Sequence, residues 1–234
     1  MKVAVIGKGK VGTQLARIFH TRPIDSRTLE GLDPDAGLIV IAVSDSAVKE
    51  VAGKLRCPAS IVVHTSGSVP KDALRDVECR GYGVFYPFQT ISKARDLTPD
   101  RIPLLLEAGD ADTLRVLAET AAEYGFKNIA EADSATRGKI HLAGVFACNF
   151  SNALMAISRD ILDKCRIDHG IINPLVEETI EKLKTVPPRE AQTGPAVRKD
   201  FPTMERHTAL LESLGMKRER EIYDLISDYI ISNS

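Results

Sequence analysis

Three glycines, Gly7, Gly9 and Gly12, follow directly on the apolar run Val3–Ile6 and have the spacing of a loop that holds phosphate against the backbone. In such a loop the first glycine permits a tight turn and the second lets the chain approach a pyrophosphate. The third lets the next helix pack closely on the sheet. Val11, Leu15, Ile18 and Phe19 recur at helical spacing behind the loop. The N-terminal N–H groups and positive dipole end of that helix would therefore face the loop and any phosphate in it. A turn with only a structural purpose is the competing reading. Expected phosphate contacts are Gly7, Lys8, Gly9, Lys10, Val11 and Gly12.

Dinucleotide-binding loops of this kind need a ribose partner about 20 residues further on. The nearest candidate is Asp25-Ser26-Arg27, where Ser26 and Arg27, with Lys8 and Lys10 close to the phosphates, favour NADP over NAD. The segment His20–Gly37 holds no convincing apolar strand, so a plain surface connection and a truncated adenosine pocket are equally open.

Further groups capable of chemistry stand where strands end. Val43 and Ser44-Asp45 close the apolar run Leu38–Val43, and His64-Thr65-Ser66-Gly67 closes Ser60–Val63. Val43, Ser44 and Thr65 are assigned to the cofactor, Ser66 and Gly67 to substrate; Asp45 reads more simply as a helix N-cap, and His64 reads equally as a site residue or a partly buried strand-end residue. Later in the chain His141, Val145, Cys148 and Asn152 share one face at 100° per residue, with Asn149 beside them. Polar groups among Val145, Phe146 and Phe150 need partners if buried. In Thr193-Gly194-Pro195…Arg198…Asp200, Arg198 could hold a carboxylate or phosphate bidentately, or pair with Asp200 or Glu205 and fix the turn. Asp200 should cap the helix that follows, with Pro202 near its start.

The elements needed to position these groups alternate. Strands are expected at Val3–Ile6, Leu38–Val43, Ser60–Val63, Tyr82–Tyr86, Ile102–Glu107 and Phe126–Ile129. Helices are expected over Val11–Phe19, from Ser44-Asp45 through Leu55, and over Ala111–Tyr124, stopped by Gly125. Continuous apolar strands between helical patterns imply a mostly parallel sheet covered on both faces, a doubly wound α/β domain of Rossmann type. After Asp133 the strand signal ends. One long helix, Ser134–Cys165, is followed by helices over His169–Thr185, Phe201–Leu214 and Arg218–Ile231. The expected division is therefore a dinucleotide-binding domain over residues 1–132 and an all-helical domain over residues 133–234.

Composition narrows the function classes. The 234 residues carry a formal net charge of -1, with 44% hydrophobic and 27% charged residues, giving no general drive toward nucleic acid or anionic membrane. No apolar run reads as approaching the roughly 20 residues that span a bilayer, and Met1-Lys2 leads into strand residues without a signal-peptide pattern. Cys57, Cys79, Cys148 and Cys165 have no metal-type spacing and read as reduced thiols of a cytoplasmic protein.

Five segments in order, Leu38–Val51 (LIVIAVSDSAVKEV), Val62–Gly67 (VVHTSG), Tyr86–Thr90 (YPFQT), His141–Phe150 (HLAGVFACNF) and Thr193–His207 (TGPAVRKDFPTMERH), resemble a bacterial family of Rossmann-like proteins with a helical C-terminal domain. That family is grouped with deazaflavin-dependent NADP oxidoreductases, and more distantly with pyrroline-5-carboxylate reductase and the 6-phosphogluconate and 3-hydroxyacid dehydrogenases. The resemblance covers nearly the whole chain. It implies NADP or NAD at the N-terminal sheet, a cleft against the helical domain, and a homodimer formed through the helices. By motif, His141 becomes the proton donor or acceptor, its intrinsic pKa suited to neutral pH, and Asn149 the hydrogen bonder that orients substrate. Gln89, Thr193 and Arg198 join Ser66 and Gly67 as substrate contacts. A hydrogen-bonded His and Asn within a helix interface is the competing reading.

Two features depart from the family. Tyr86-Pro87 stands where His-Pro is usual, which removes a near-neutral base, and the second-strand region is short. Related dehydrogenases place a Lys and an Asn on the first long helix, whereas Lys139 here lies about 160° around the helix from His141. The expected function is hydride transfer between nicotinamide and a small, anionic carbonyl, imine or hydroxy compound. The alternative is a nucleotide- or metabolite-sensing protein that kept the fold without turnover.

Overall fold

The computed structural model describes residues 1–92 and 94–233. Two compact units divide the chain, Met1–Cys148 and Asn149–Ser234.

The first unit contains seven strands in one sheet: β1 (Val3–Ile6), β2 (Pro23–Ile24), β3 (Leu38–Ile41), β4 (Arg56–His64), β5 (Glu78–Pro87), β6 (Pro103–Ala108) and β7 (Asn128–Glu131). Their order is β2-β1-β3-β4-β5-β6-β7, with every pair parallel except β5 and β6. The fold is the Rossmann-type α/β sheet the apolar runs imply. Alternation in β1 and β3 shows why those runs are continuous. Val3, Val5, Leu38 and Val40 enter one core with Leu15, Phe19 and Leu117. Ala4, Ile6, Ile39 and Ile41 enter a second core on the opposite face with Val48, Val51 and Leu55. Both faces of the sheet are buried, so neither side of these strands tolerates a polar residue.

The helices of this unit are α1 (Lys10–Ile18), α2 (Val48–Gly53), α3 (Ala111–Glu123) and α4 (Ser134–Gly144). α3 is capped by Asp110, which accepts from the Thr113 N–H, and ends before Gly125 at φ +89°. Asp133 caps α4 in the same way through Thr136. Two expectations require correction here. The region behind α1 does contain its second strand: Pro23 and Ile24 pair in register with Val5 and Ile6. Two residues are too few to leave an apolar signature. Asp45 caps no helix by its side chain; it opens a single 3-10 turn, Asp45–Ala47, that leads into α2.

From Ser134 the chain stays helical to Lys164, as α4, a π turn over Val145–Phe150, and α5 (Ser151–Lys164). A π turn takes more residues than an α turn. The 100° spacing that put His141 and Asn152 on one face therefore does not carry across it. This helix also corrects the hydropathy reading. An 18-residue window within Ser134–Lys164 averages a hydropathy of 1.5 with none of it buried, so by length and composition the helix could cross a membrane. The stretch Ile140–Ile157 has no Asp, Glu, Lys or Arg, although His141, Asn149, Ser151 and Asn152 interrupt it.

The second unit adds α6 (Asn173–Lys182), α7 (Phe201–Ser213) and α8 (Lys217–Ser232). Asp200 caps α7 by accepting from the Thr203 N–H, with Pro202 in the first turn. Among the described residues of this unit, Ala191, Ala196, Leu211, Met216 and Ser227 are the buried ones. Large apolar side chains instead face outward, among them Leu175 on α6 at 68% and Leu225 on α8 at 72% exposure.

Candidate functional site

The carboxyl ends of the parallel strands collect the residues of interest, where open α/β sheets bind ligands. The loop after β1 sits at the switch point between β1 and β3. Gly7 adopts φ +125°, and a Cβ there would lie 2.1 Å from the Ala42 carbonyl oxygen; a Cβ on Gly12 would lie 2.0 Å from the Gly7 oxygen. Gly12 is therefore demanded by the loop itself, and Gly7 by its positive φ and the close approach of the strand beside it. Gly9 differs: nothing lies within 4 Å of where its Cβ would stand. It is the N-cap of α1, with no side-chain cap and no acid in the first helical turn. Exposed Lys8 and Lys10 flank it, and Val11 is half-buried at the start of the helix. Free N–H groups, a dipole end and two cations around an open backbone surface suit a phosphate.

Beyond β2, Asp25 accepts from the Arg27 N–H (3.0 Å) and pairs with Lys8 (3.2 Å). These contacts, the backbone one first, hold its carboxyl below the usual range. Ser26 is half-buried and Arg27 exposed. A hollow of about 1230 Å³ follows this edge of the sheet, with Lys8, Ile24, Asp25 and Thr28 on its wall at the glycine loop. Val43 is half-buried next to Gly7, and Ser44 is exposed.

The loop after β4 is tied down along its length. His64 is fully buried; its Nδ1 accepts from the Ser66 N–H (3.2 Å), so its Nε2 donates to the Pro70 carbonyl (3.3 Å). Burial pushes its pKa down to about 4, and the ring is a neutral staple. The Ser66 hydroxyl accepts from the N–H groups of Ser68 (3.1 Å) and Val69 (3.0 Å), and the Ser68 hydroxyl donates to Asp45. Thr65 is buried at 8% exposure. The hydroxyl of Ser66, expected to meet substrate, is thus engaged in its own loop.

Behind this loop lies a charge cluster that sequence reasoning missed. Arg137, fully buried on α4, donates to Glu107 on β6, to the Val69 carbonyl (2.6 Å) and more distantly to Ser134 (3.4 Å). Glu107 also accepts from Ser134 (2.9 Å) and Lys71 (3.1 Å). Burial works against the Glu107 charge, but the hydrogen bonds from Arg137, Ser134 and Lys71 outweigh it and hold the carboxyl below its usual range. Arg137 Nε is buried without a partner. No local pattern marks it, since Ser134 and His141 on the same face of the helix are polar as well.

These ties present Gly67 to a pair that the fold assembles from β5 and α4. The Tyr86 hydroxyl lies 2.9 Å from His141 Nδ1, with the rings edge-to-face at 6.0 Å. A Cβ on Gly67 would stand 2.7 Å from His141 Nδ1 and 2.9 Å from Tyr86 Cζ. A Cβ on Gly144, two residues before the π turn's second residue, would lie 2.5 Å from the Phe88 ring. The substitution of Tyr for His before Pro87 thus supplies a hydrogen-bond partner to His141. Of the other expected substrate contacts, Gln89 is exposed with its amide oxygen accepting from the Thr90 N–H (2.9 Å).

Asn149, Thr193 and Arg198 belong to the second unit, and all three are exposed. Thr193 lines an apolar cavity of about 310 Å³ with Leu154, Leu211, Tyr223 and Ile226. Tyr223 in turn meets His207 Nδ1 at 2.9 Å. Cys57 and Cys79, far apart in sequence, are register partners on β4 and β5, and both thiols are free.

A family model matches residues 102–230, from β6 through α8, more than half of the chain. The chain belongs to the family described as Domain of unknown function (DUF2520). No curated protein matches it. Among solved structures, a "putative NADP oxidoreductase" from Bacteroides fragilis is 29% identical with a TM-score of 0.87, over 99% of this chain and 98% of that one. A protein from Thermotoga maritima is 20% identical with a TM-score of 0.71, over 99% and 97%. A reductive aminase from Aspergillus terreus, solved with NADPH and ethyl levulinate, is 13% identical with a TM-score of 0.66, over 99% and 97%. This member of the family therefore shares its fold with NADP oxidoreductases along its full length.

Proposed function

We propose that the chain is an NADP(H)-dependent oxidoreductase acting on a small, anionic carbonyl, imine or hydroxy compound. The observation that carries the reading is the glycine loop: Gly9 faces open space at the β1/β3 switch point, beside an α1 N-terminus with no side-chain cap. The residues fit the cofactor. Gly7, Lys8, Gly9, Lys10, Val11 and Gly12 would hold its pyrophosphate, Ser26 and Arg27 its ribose phosphate, and Val43, Ser44 and Thr65 would lie along its course. When bound, NADPH supplies hydride; the chain supplies orientation and protons. His141 handles the proton, Asn149 and Arg198 orient substrate, and Gly67 leaves room beside His141. Structures similar to this one, including an imine reductase from Myxococcus stipitatus in complex with NADP+, support the cofactor.

Titration calorimetry with NADPH, NADP+, NADH and NAD+ tests this. Micromolar binding with NADPH ahead of NADH is expected, and Arg27→Ala should cost the NADPH preference about tenfold, one charge-assisted contact. No binding of any of the four at millimolar concentration would sink the reading. A sensor without turnover is the second reading, favoured by the Ser66 and Gln89 oxygens accepting hydrogen bonds from their own loops. Binding of NADPH with no oxidation in the presence of a panel of small ketones and keto acids would favour it.

The partner we propose is a second copy. The helical unit buries too little of itself to stand: Leu154, Ile171, Leu175, Ile180 and Leu225 are all exposed, and helices of this length are marginal without packing. Asn149 and Asn152 in the apolar helix favour a protein cover over lipid, where such groups are costly.

A further inference from the structure

We propose that Tyr86 is a positioning residue for His141: its phenol donates to Nδ1 and holds the imidazole as the Nε2–H tautomer, so that His141 meets substrate as a hydrogen-bond donor and not as a base. The meeting with substrate rests on the oxidoreductase reading; the tautomer does not.

The direction of the bond follows from the relative strength of the two acceptors. The half-buried Tyr86 hydroxyl has one proton, and among the described residues its hydrogen-bond partner is His141 Nδ1, at 2.9 Å. Either direction leaves one proton unpaired, the phenol's or the one on Nε2; the phenol donates because a neutral imidazole nitrogen is a stronger acceptor than a phenol oxygen. Burial pushes the phenol's pKa up, so it keeps its proton at neutral pH; the charge of Arg137 opposes this shift and that of Asp45 adds to it.

A neutral imidazole whose Nδ1 accepts carries its proton on Nε2. His64 shows the same tautomer a few residues from Gly67, but there both nitrogens are occupied by backbone groups. At His141, no hydrogen bond to Nε2 exists among the described residues, and that N–H is available. It can polarise a carbonyl or imine by a hydrogen bond, without itself needing to be charged. It has no lone pair with which to remove a proton, so abstraction from a hydroxy compound would first need the tautomer to reverse.

Geometry holds the pair in place from three sides. Gly67 fills the gap against both rings with no side chain. Arg137, one helical turn before His141 on the same face of α4, fixes that helix to Val69 and Glu107. Pro87, buried behind Tyr86, ends β5.

The test is long-range proton–nitrogen NMR on the 15N-labelled full chain at neutral pH, with the His141 ring assigned by its loss in His141→Asn. The expected wild-type spectrum shows a protonated Nε2 and an accepting Nδ1. In Tyr86→Phe the ratio of Nε2–H to Nδ1–H should fall about fivefold to tenfold, the worth of one net hydrogen bond. A wild-type ring protonated on Nδ1 would overturn the proposal even if Tyr86→Phe fails to fold, and so would a Tyr86→Phe ring unchanged from wild type. Failure of NADPH binding in the calorimetry leaves this result standing, so the two readings fail separately.

Discussion

At the scale of single residues, Gly67 and His64 make the sharpest predictions. Gly67 has no positive φ, so Gly67→Ala strains no backbone; its methyl group must instead displace the Tyr86 and His141 rings. A stability loss of about 1–3 kcal/mol, the usual cost of overpacking, is expected in urea denaturation, together with loss of the His141 tautomer preference. His64 predicts a pH dependence. Its folded pKa, about 4, lies below the ordinary 6.5 because burial disfavours the charged ring. The unfolded chain then binds the proton more readily, so stability is complete above pH 6.5 and falls as pH drops toward 4. Over that window about 3 kcal/mol should be lost. Denaturation of His64→Asn at pH 7, 5.5 and 4 should show a flatter profile than wild type; equal slopes would remove the assignment.

At the scale of elements, α4 is held to the sheet by a buried ion pair and not by apolar contact alone. Removing one partner of such a pair strands the other charge. Arg137→Met should therefore cost about 3–5 kcal/mol, and the Arg137→Met/Glu107→Leu pair should recover part of it, measured as a double-mutant cycle. Glu107 adds a pH signature of the same sign at lower pH. Its carboxyl sits below the usual value in the fold, so its contribution is present above the ordinary glutamate pKa, near 4.3, and is lost at lower pH. The π turn between α4 and α5 matters at this scale as well, because it resets which side chains follow His141 along the helix.

At the scale of the whole molecule, the exposed apolar surface of the helical unit predicts association. Light scattering should give twice the chain mass at micromolar concentration. Leu175→Asp combined with Leu225→Asp should yield monomer with a less stable helical unit, since charges at these exposed sites would be buried on pairing. A monomeric wild type with a stable helical unit would remove the second copy from the account.

Much of the fold was legible in residue order. Runs such as Leu38–Val43 and Ile61–Val63 are apolar throughout because both faces of the sheet are buried, and Gly12 is required by the Gly7 carbonyl five residues before it, whereas Gly7 is required by Ala42 at the end of the neighbouring strand. Local chemistry likewise placed the helix that Asp200 caps. What residue order could not contain were meetings across the fold. Pro23-Ile24 is a strand only because β1 lies beside it, and Cys57 meets Cys79 only through strand register. Arg137 carries no mark of burial until Glu107 is seen, and Tyr86 reads as the loss of a base until His141 is found 2.9 Å away. The reason is physical: local patterns follow from the backbone's short-range preferences, whereas a partner 55 residues distant is chosen only when the sheet and α4 close around Gly67.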